Sequence, residues 1–139
     1  MSPAKEIIVI NPNSNEHVTS SMDTALEPLR LANGPIIKSV TNLDRPPGIE
    51  SQQDADSAAL QVINIIKRNN SADAFVIACF SDPGIYAARE VTNKPVFDKC
   101  LIKSSISDLY ASEKKKVFEL SIIASLRLIS PWPPFFHPR

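Results

Sequence analysis

The residue with the clearest chemical potential is Cys79, in the stretch VIACFSDPGIYAARE at residues 76–90. It follows an apolar run and precedes Asp82-Pro83-Gly84, which predicts a helix start with Asp as N-cap and Pro at the first helical position. Unpaired N–H groups and the dipole of such a helix favour thiolate, the form of cysteine that accepts protons. The alternative is an inert thiol packed in a strand, since free cysteine is among the most buried residue types. This stretch alone leaves both interpretations open.

A second polar segment, INPNSN at residues 10–15, also follows an apolar run. Asn13 is predicted to cap the following helix, with Glu16 at the capping-box spacing. A polar loop that opens a helix can equally offer side-chain amides and backbone N–H groups to a carbonyl or carboxylate. A plain helix cap and a binding loop are therefore both compatible with these residues. His17 is expected on an exposed helix face, and nothing in the sequence pairs it with Cys79 as a nucleophilic dyad.

The elements that must position these residues alternate between strand and helix patterns. Strands are expected at residues 7–10, 36–40, 74–80 and about 95–97. Helices are expected at residues 15–31, with Pro28 disturbing the end, at about 55–66, and from residue 83. Such alternation with short links predicts an α/β fold, a single Rossmann-like parallel sheet with flanking helices. Because the carboxyl ends of parallel strands share one edge, Cys79 and the loop of residues 11–15 are predicted to lie there together.

The composition restricts the class of protein. The chain has 139 residues, the length of one domain, and its 15 basic residues balance 15 acidic ones. This balance gives no support for a nucleic-acid partner or an anionic membrane surface. No apolar segment approaches the roughly 18 residues that span a bilayer. Two cysteines make no disulfide framework, so a reducing cytoplasmic location is expected, and no His/Cys spacing indicates a metal site.

The character of the sequence changes after about residue 97. Residues 98–139 contain none of the chain's three glycines. The part before residue 98 carries 8 basic and 11 acidic residues, whereas the part after residue 97 carries 7 and 4. A second α/β unit would be expected to need glycine-containing turns. We therefore divide the chain into an α/β domain at 1–97 and a divergent tail at 98–139.

With INPNSNEHVTSSM and VIACFSDPGIYAARE both in view, the chain resembles the aspartate/glutamate/hydantoin racemase superfamily, in particular its hydantoin and allantoin racemase branch. The resemblance covers about residues 5–97 and includes the PPGIES loop and the NKPV before the fourth strand. It implies a cofactor-independent enzyme with two similar α/β domains. In such enzymes each domain supplies one cysteine, and the two thiols face the substrate carbon from opposite sides. One takes the Cα proton as thiolate and the other delivers a proton to the opposite face.

Carried over to this sequence, the resemblance gives roles to six residues. Cys79 matches the catalytic cysteine of the first domain. The substrate-binding positions it implies are Asn11, Asn13, Ser14, Ser81 and Asp82. The implied partner is a small molecule (a hydantoin, allantoin or an amino-acid derivative), with no cofactor, metal, nucleic acid or membrane. A homo-oligomer is left open.

The chain departs from the family pattern at the second cysteine. That cysteine belongs to a Gly-Cys motif, which this sequence lacks. Cys100 lies four residues past Val96 and is followed by LIKSS, so it does not match the partner cysteine. The expectation is a truncated racemase-like chain that is inactive alone, with a tail produced by splicing, a frame change or a gene-model error. A non-catalytic small-ligand-binding or interaction protein and an orphaned fragment are the alternatives.

Overall fold

The computed structural model describes residues 4–44 and 46–98, so Cys100 and the predicted tail beyond Asp98 lie outside the described residues. Strands and helices alternate along the described chain. They are β1 (Glu6–Asn11), α1 (Glu16–Leu26), β2 (Ile36–Thr41), α2 (Gln52–Arg68), β3 (Ala74–Ile77), α3 (Ile85–Val91) and β4 (Val96–Asp98). A 3-10 turn at Glu27–Leu29 follows α1. None of the helices in this described part has the length and apolar character needed to cross a membrane.

The four strands form one parallel sheet in the order β2-β1-β3-β4. The interior strand β1 is a continuous apolar run, Ile7–Ile10, whose side chains are at most 1% exposed. Helix α1 covers one face of the sheet through Met22 and Leu26. Helices α2 and α3 cover the other face, where Phe75 and Ile77 of β3 lie in the same core. The predicted fold class, a parallel sheet with flanking helices, is confirmed.

Helix α2 forms because its ends are capped and its apolar residues share one face. Ser51 and Asp54 make a reciprocal capping box, in which each side chain accepts from the other residue's backbone N–H. Helical spacing in the sequence predicts one apolar face, made of Ala55, Ala58, Ala59, Val62, Ile63 and Ile66. Four of these six residues are buried, whereas Ala59 and Ile63 are only half-buried, and the buried Ile65 was not predicted. The buried residues of the helix are Ala55, Ala58, Val62, Ile65 and Ile66.

Helix α1 begins within one residue of the predicted start, but its predicted N-cap and its predicted end were wrong. Asn15, not Asn13, is the N-cap, and its Oδ1 accepts from the backbone N–H of His17 at 3.0 Å. The Oδ1 of Asn13 instead accepts from the N–H of Asn15 at 2.9 Å, which makes a turn before the helix begins. The helix ends at Leu26 rather than residue 31, because Pro28 cannot donate a helical hydrogen bond and the chain tightens into the 3-10 turn.

The predicted elements around Cys79 also need correction. Strand β3 ends at Ile77 rather than residue 80, and α3 begins at Ile85 rather than residue 83. Asp82 is not an N-cap, because its φ of 44° lies in the left-handed region whereas an N-cap residue is extended. Cys79 therefore lies on a turn, several residues ahead of a short helix. No helix begins directly after Cys79, so the helix start that was expected to favour its thiolate is not beside it.

Gly84 fixes the shape of that turn. Its φ is 75°, and a Cβ placed on it would lie 2.9 Å from the backbone oxygen of Ala59 and 3.0 Å from its Cα. Both the left-handed backbone and the close approach of α2 therefore require glycine. This contact presses the segment that follows Cys79 against α2.

Replacing Gly84 should destabilise the chain far more than replacing a glycine in open space. We expect Gly84→Ala to cost about 2–4 kcal/mol of unfolding free energy, from the left-handed backbone and the crowding together. Gly48→Ala is the matched control, because the nearest atom to its added Cβ is 3.8 Å away, and it should change stability by less than about 0.5 kcal/mol. Urea unfolding measures both. Equal midpoints for the two variants would contradict this account of the turn.

An ionic contact joins the amino ends of β1 and β3. The carboxylate of Asp73 accepts from the backbone N–H of Glu6 at 2.9 Å and from Lys5 Nζ at 3.0 Å. These two contacts hold the pKa of Asp73 below its ordinary value of 3.8. The charged carboxylate is thus favoured in the folded state, so it stabilises the fold above pH 3.8 and this stabilisation is lost as the pH falls through the lower folded-state pKa.

The variant Asp73→Asn mimics the protonated carboxyl at every pH. We expect it to be less stable than the parent chain at pH 7, because it lacks the charge that Lys5 and the Glu6 N–H contact. The difference should shrink as the pH is lowered from about 5 towards 2. Urea unfolding of both chains across this range tests the expectation. A difference that stays constant down to low pH would show that the charge of Asp73 does not stabilise the fold.

Candidate active site

The carboxyl ends of three strands meet at one edge of the sheet. The backbone N–H of Ala78, just past β3, donates to the carbonyl of Ile10 at 2.8 Å. The N–H of Asn42, just past β2, donates to the carbonyl of Asn11 at 2.9 Å. The last two carbonyls of β1 thus hold the segments that follow both neighbouring strands. Cys79 lies at the same edge as the loop after β1, where the sequence predicted it.

The thiol of Cys79 is half-buried and has a hydroxyl beside it. Its Sγ lies 3.3 Å from the Oγ of Ser81, and either atom can be the donor. The carbonyl of Cys79 accepts from the N–H of Asp82 at 3.3 Å, which closes the turn. A hydroxyl in this position can donate to a thiolate or accept from a thiol, so it can accompany the sulfur in either protonation state. The partial exposure of Cys79 differs from a thiol sealed in the core.

The loop after β1 uses its backbone N–H groups internally. Asn13 N donates to Asn11 Oδ1 at 3.2 Å, and Asn15 N donates to Asn13 Oδ1 at 2.9 Å. Ser14 N donates to the carbonyl of Pro46 at 2.8 Å, which ties this loop to the loop before α2. Within residues 4–44 and 46–98, Asn13 Nδ2 and Ser14 Oγ have no hydrogen-bond partner. The loop therefore offers side-chain donors, rather than these backbone donors, to a ligand.

Asn11 lies behind this loop. Its residue is 1% exposed, and its Nδ2 donates to Asn13 Oδ1 and Asn15 O, both at 3.1 Å, and to Thr19 Oγ1 at 3.0 Å. The hydroxyl of Thr19 lies 2.6 Å from that of Thr41. Both polar ends of the Asn11 side chain are thus engaged within the protein, where they hold the loop.

Three residues of this edge were missed by sequence reasoning: Thr19, Thr41 and Asn42. Asn42 is 1% exposed, and its Nδ2 donates to the carbonyl of Pro12 at 2.8 Å. A signal for Thr41 and Asn42 exists, because they follow a predicted strand as Asn11 and Pro12 do. Thr19 carries no such signal, since a threonine in the first turns of a helix is common on exposed faces.

Ser81 connects Cys79 to a concave surface. A cavity of about 710 Å³ lies between α2 and the segment that leads into α3. Its polar lining comes from Gln52, Asp56, Ser81, Asp82, Arg89 and Asp98. Cys79 and Asn13 are not among the described residues that line it. The structure thus brings Ser81 and the half-buried Asp82 to this cavity, while Cys79 reaches it only through its contact with Ser81.

No group of three His, Cys, Asp or Glu side chains within the described residues is arranged to hold a metal ion. Around Cys79 and the loop after β1, the described polar side chains are one thiol, hydroxyls and carboxamides. These groups suit hydrogen bonding and proton transfer at a small polar ligand.

Comparison with known proteins gives relatives for this arrangement. The sequence matches the Asp/Glu/Hydantoin racemase family over residues 7–116. It is 40% identical over 93 residues to a hydantoin racemase from Paenarthrobacter aurescens, covering 65% of this chain and 39% of that protein. It is 41% identical over 93 residues to a hydantoin racemase from Pseudomonas sp. (strain NS671), covering 66% of this chain and 37% of that protein.

A solved structure supports the same relationship. The chain is similar to the allantoin racemase from Klebsiella pneumoniae with a TM-score of 0.66 and 25% identity, over 89% of this chain and 54% of that one. The chain thus spans about two fifths of the curated hydantoin racemases and about half of the solved structure. Since the family match covers most of the sequence, from residue 7 to residue 116, the chain belongs to the Asp/Glu/hydantoin racemase family.

Proposed function

We propose that this chain carries one half of a cofactor-independent racemase site, in which Cys79 is the acid–base group. The observation that carries the proposal is the half-buried Cys79 thiol at the carboxyl edge of the sheet, 3.3 Å from the Ser81 hydroxyl. Family membership and the hydantoin racemases among the relatives support a hydantoin, allantoin or an amino-acid derivative as the substrate.

The proposed chemistry is proton transfer at the carbon next to a carbonyl. The Cys79 thiolate takes the proton, the C–H bond breaks, and its electron pair passes to the neighbouring carbonyl, which becomes an enolate. Donors on the protein must then stabilise the developing charge on that oxygen. Asn13 Nδ2 and Ser14 Oγ are the donors we assign to the substrate, with Asn11 holding them from behind. Ser81 accompanies the sulfur, and Asp82 contributes to the adjoining surface.

Inversion needs a second acid on the opposite face of the enolate. The sequence has one further cysteine, Cys100, which follows VFDK and has no Gly before it. We therefore propose that the 139-residue chain removes and returns a proton on one face but does not invert the carbon alone. Full racemisation would then require a second thiol from another chain or from a longer product.

Other parts of the proposal concern the whole protein. We propose the cytoplasm as its location, since its reducing conditions keep thiols free. A small molecule is the proposed partner, and self-association is one way to supply the missing group. The division at residue 97 also remains a proposal. The alignments with the first two hydantoin racemases have about that length, 93 residues, whereas the family match continues to residue 116. Sequencing the transcript around codon 97 would show whether the reading frame changes there.

The proposed half-reaction predicts deuterium exchange without inversion. An enantiopure 5-substituted hydantoin is incubated with the chain in D₂O, with NMR following the loss of the C5 proton and polarimetry following the loss of optical rotation. The signal should disappear faster than without protein, while the rotation decays at the uncatalysed rate. Cys79→Ser should reduce the protein-dependent exchange about 10²–10⁴-fold, because a serine hydroxyl stays protonated at neutral pH and cannot take the proton as a thiolate does.

A matched control keeps the number of thiols constant. Ser71 is exposed and precedes the amino end of β3, so the double variant Cys79→Ser/Ser71→Cys moves the thiol to the opposite edge of the sheet. It should be as inactive as Cys79→Ser, whereas Cys100→Ser should exchange like the parent chain. Racemisation that depends on Cys79 would make the single chain a complete enzyme and overturn the half-site. Binding of the hydantoin without exchange would favour a non-catalytic ligand-binding protein.

A further inference from the structure

The orientations of two side-chain amides at the edge are fixed by backbone groups that can only donate or only accept. The Asn13 atom 2.9 Å from Asn15 N must be oxygen, because a backbone N–H only donates. The Asn11 atom 3.2 Å from Asn13 N must be oxygen for the same reason. The other end of Asn11 lies 3.1 Å from the carbonyl of Asn15 and must be nitrogen. Neither amide can therefore be flipped without breaking a backbone hydrogen bond.

These orientations determine what Asn13 presents to a ligand. Its oxygen is directed inward, where it accepts from Asn15 N and from Asn11 Nδ2. Its NH₂ group belongs to a half-buried residue at the edge and has no hydrogen-bond partner within residues 4–44 and 46–98. An NH₂ group in this position donates to an acceptor such as a carbonyl or carboxylate oxygen. It repels a ligand that offers only N–H donors.

The two hydrogens of Asn11 Nδ2 are shared among three acceptors. Two of them, Asn13 Oδ1 and Asn15 O, lie in or at the end of the loop that Asn11 must hold. The third, Thr19 Oγ1 at 3.0 Å, lies within α1. Thr19 is in turn tied to the end of β2 by the 2.6 Å contact between its hydroxyl and that of Thr41. Since Nδ2 can only donate, Thr19 accepts from it and exchanges one further hydrogen bond with Thr41.

We propose that Thr19, held by Thr41, is a positioning residue that fixes the Asn11 amide and, through it, the NH₂ group of Asn13 towards the ligand. The inference rests on the proposed function for the identity of that ligand, a small molecule with an amide carbonyl. The hydroxyl pair links the Asn11 amide itself to α1 and, through Thr41, to the end of β2. Neither threonine touches the ligand in this arrangement.

The first test needs no ligand. Side-chain NH₂ signals of ¹⁵N-labelled chain are compared for the parent, Thr19→Val, Thr19→Ser and Thr41→Val. Thr19→Val keeps the shape of threonine but removes the acceptor, so the Asn11 NH₂ protons should exchange faster with solvent and the Asn13 NH₂ signals should shift. Thr19→Ser should restore the parent spectrum. Thr41→Val should shift the same signals less, because Asn11 keeps its acceptor.

Thr24→Val is the matched control on the same helix. Thr24 is exposed, and its hydroxyl donates only within the helix, to Ser20 O at 3.0 Å. It should leave the Asn11 and Asn13 signals unchanged. Parent-like signals in Thr19→Val would overturn the proposal, as would a Thr19→Ser spectrum as altered as that of Thr19→Val.

A second test separates positioning from chemistry. Titration with 5-methylhydantoin should give a dissociation constant about threefold to tenfold higher for Thr19→Val than for the parent, the effect of losing one well-placed neutral hydrogen bond. The rate of Cys79 alkylation by iodoacetamide should not change, because the thiol lies on a different strand end. If the dissociation constant and the alkylation rate both change by a similar factor, the substitution has loosened the whole edge, which would count against a positioning role. If the parent chain fails to bind the hydantoin, the proposed function fails, whereas the amide signals still decide whether Thr19 orients Asn13.

Discussion

The parallel pairing of β1 with both of its neighbours is the constraint on which the edge depends. The carbonyls of Ile10 and Asn11 accept from Ala78 and Asn42, residues that come after the paired strands have ended. Through these two hydrogen bonds, β1 also pairs with the first residue after β3 and the first residue after β2. A shift of one residue in either register would reverse every side chain of β1 between the two faces, both of which are buried. The apolar packing of Ile7–Ile10 therefore fixes where the polar residues after β1, β2 and β3 begin.

The sequence predicted the sheet well because buried parallel strands are nearly continuous apolar runs, and IIVI and AFVI are such runs. The sequence-based prediction was wrong where the same residues are compatible with two local structures. Asp82-Pro83-Gly84 suits a helix start, yet here it forms a left-handed turn, because Gly84 lies against the backbone of Ala59 in α2. Similarly, two asparagines two positions apart can both cap α1. The hydrogen bond from Asn15 N to Asn13, together with Asn11 behind, decides between them.

The candidate site was predicted in its location but not in its donors. Strand ends located Cys79 and the loop of residues 11–15, because a parallel topology leaves few alternatives. Which groups of that loop remain available depends on Pro46, Thr19 and Thr41, which belong to three other segments. Local sequence cannot show that Ser14 N donates to the carbonyl of Pro46. Nor can it show that both polar atoms of the Asn11 side chain are already hydrogen-bonded within the protein. The sequence therefore predicts which polar residues lie at this edge. Which of them support the loop and which remain available to a ligand is known only from the tertiary structure.

The geometry of a sheet edge restricts the proposed chemistry to one face of the substrate. The described groups that follow β1, β2 and β3 all project from one edge, so they approach a planar enolate from the same general direction. In the proposed reaction, such an edge would hold the enolate oxygen and exchange a proton with one face. The other face points away from the strand ends, and none of the described residues in 4–44 and 46–98 offers a thiol there. Holding a substrate and inverting it are thus separable tasks: the first needs one edge, and the second needs an acid on a surface opposite to it.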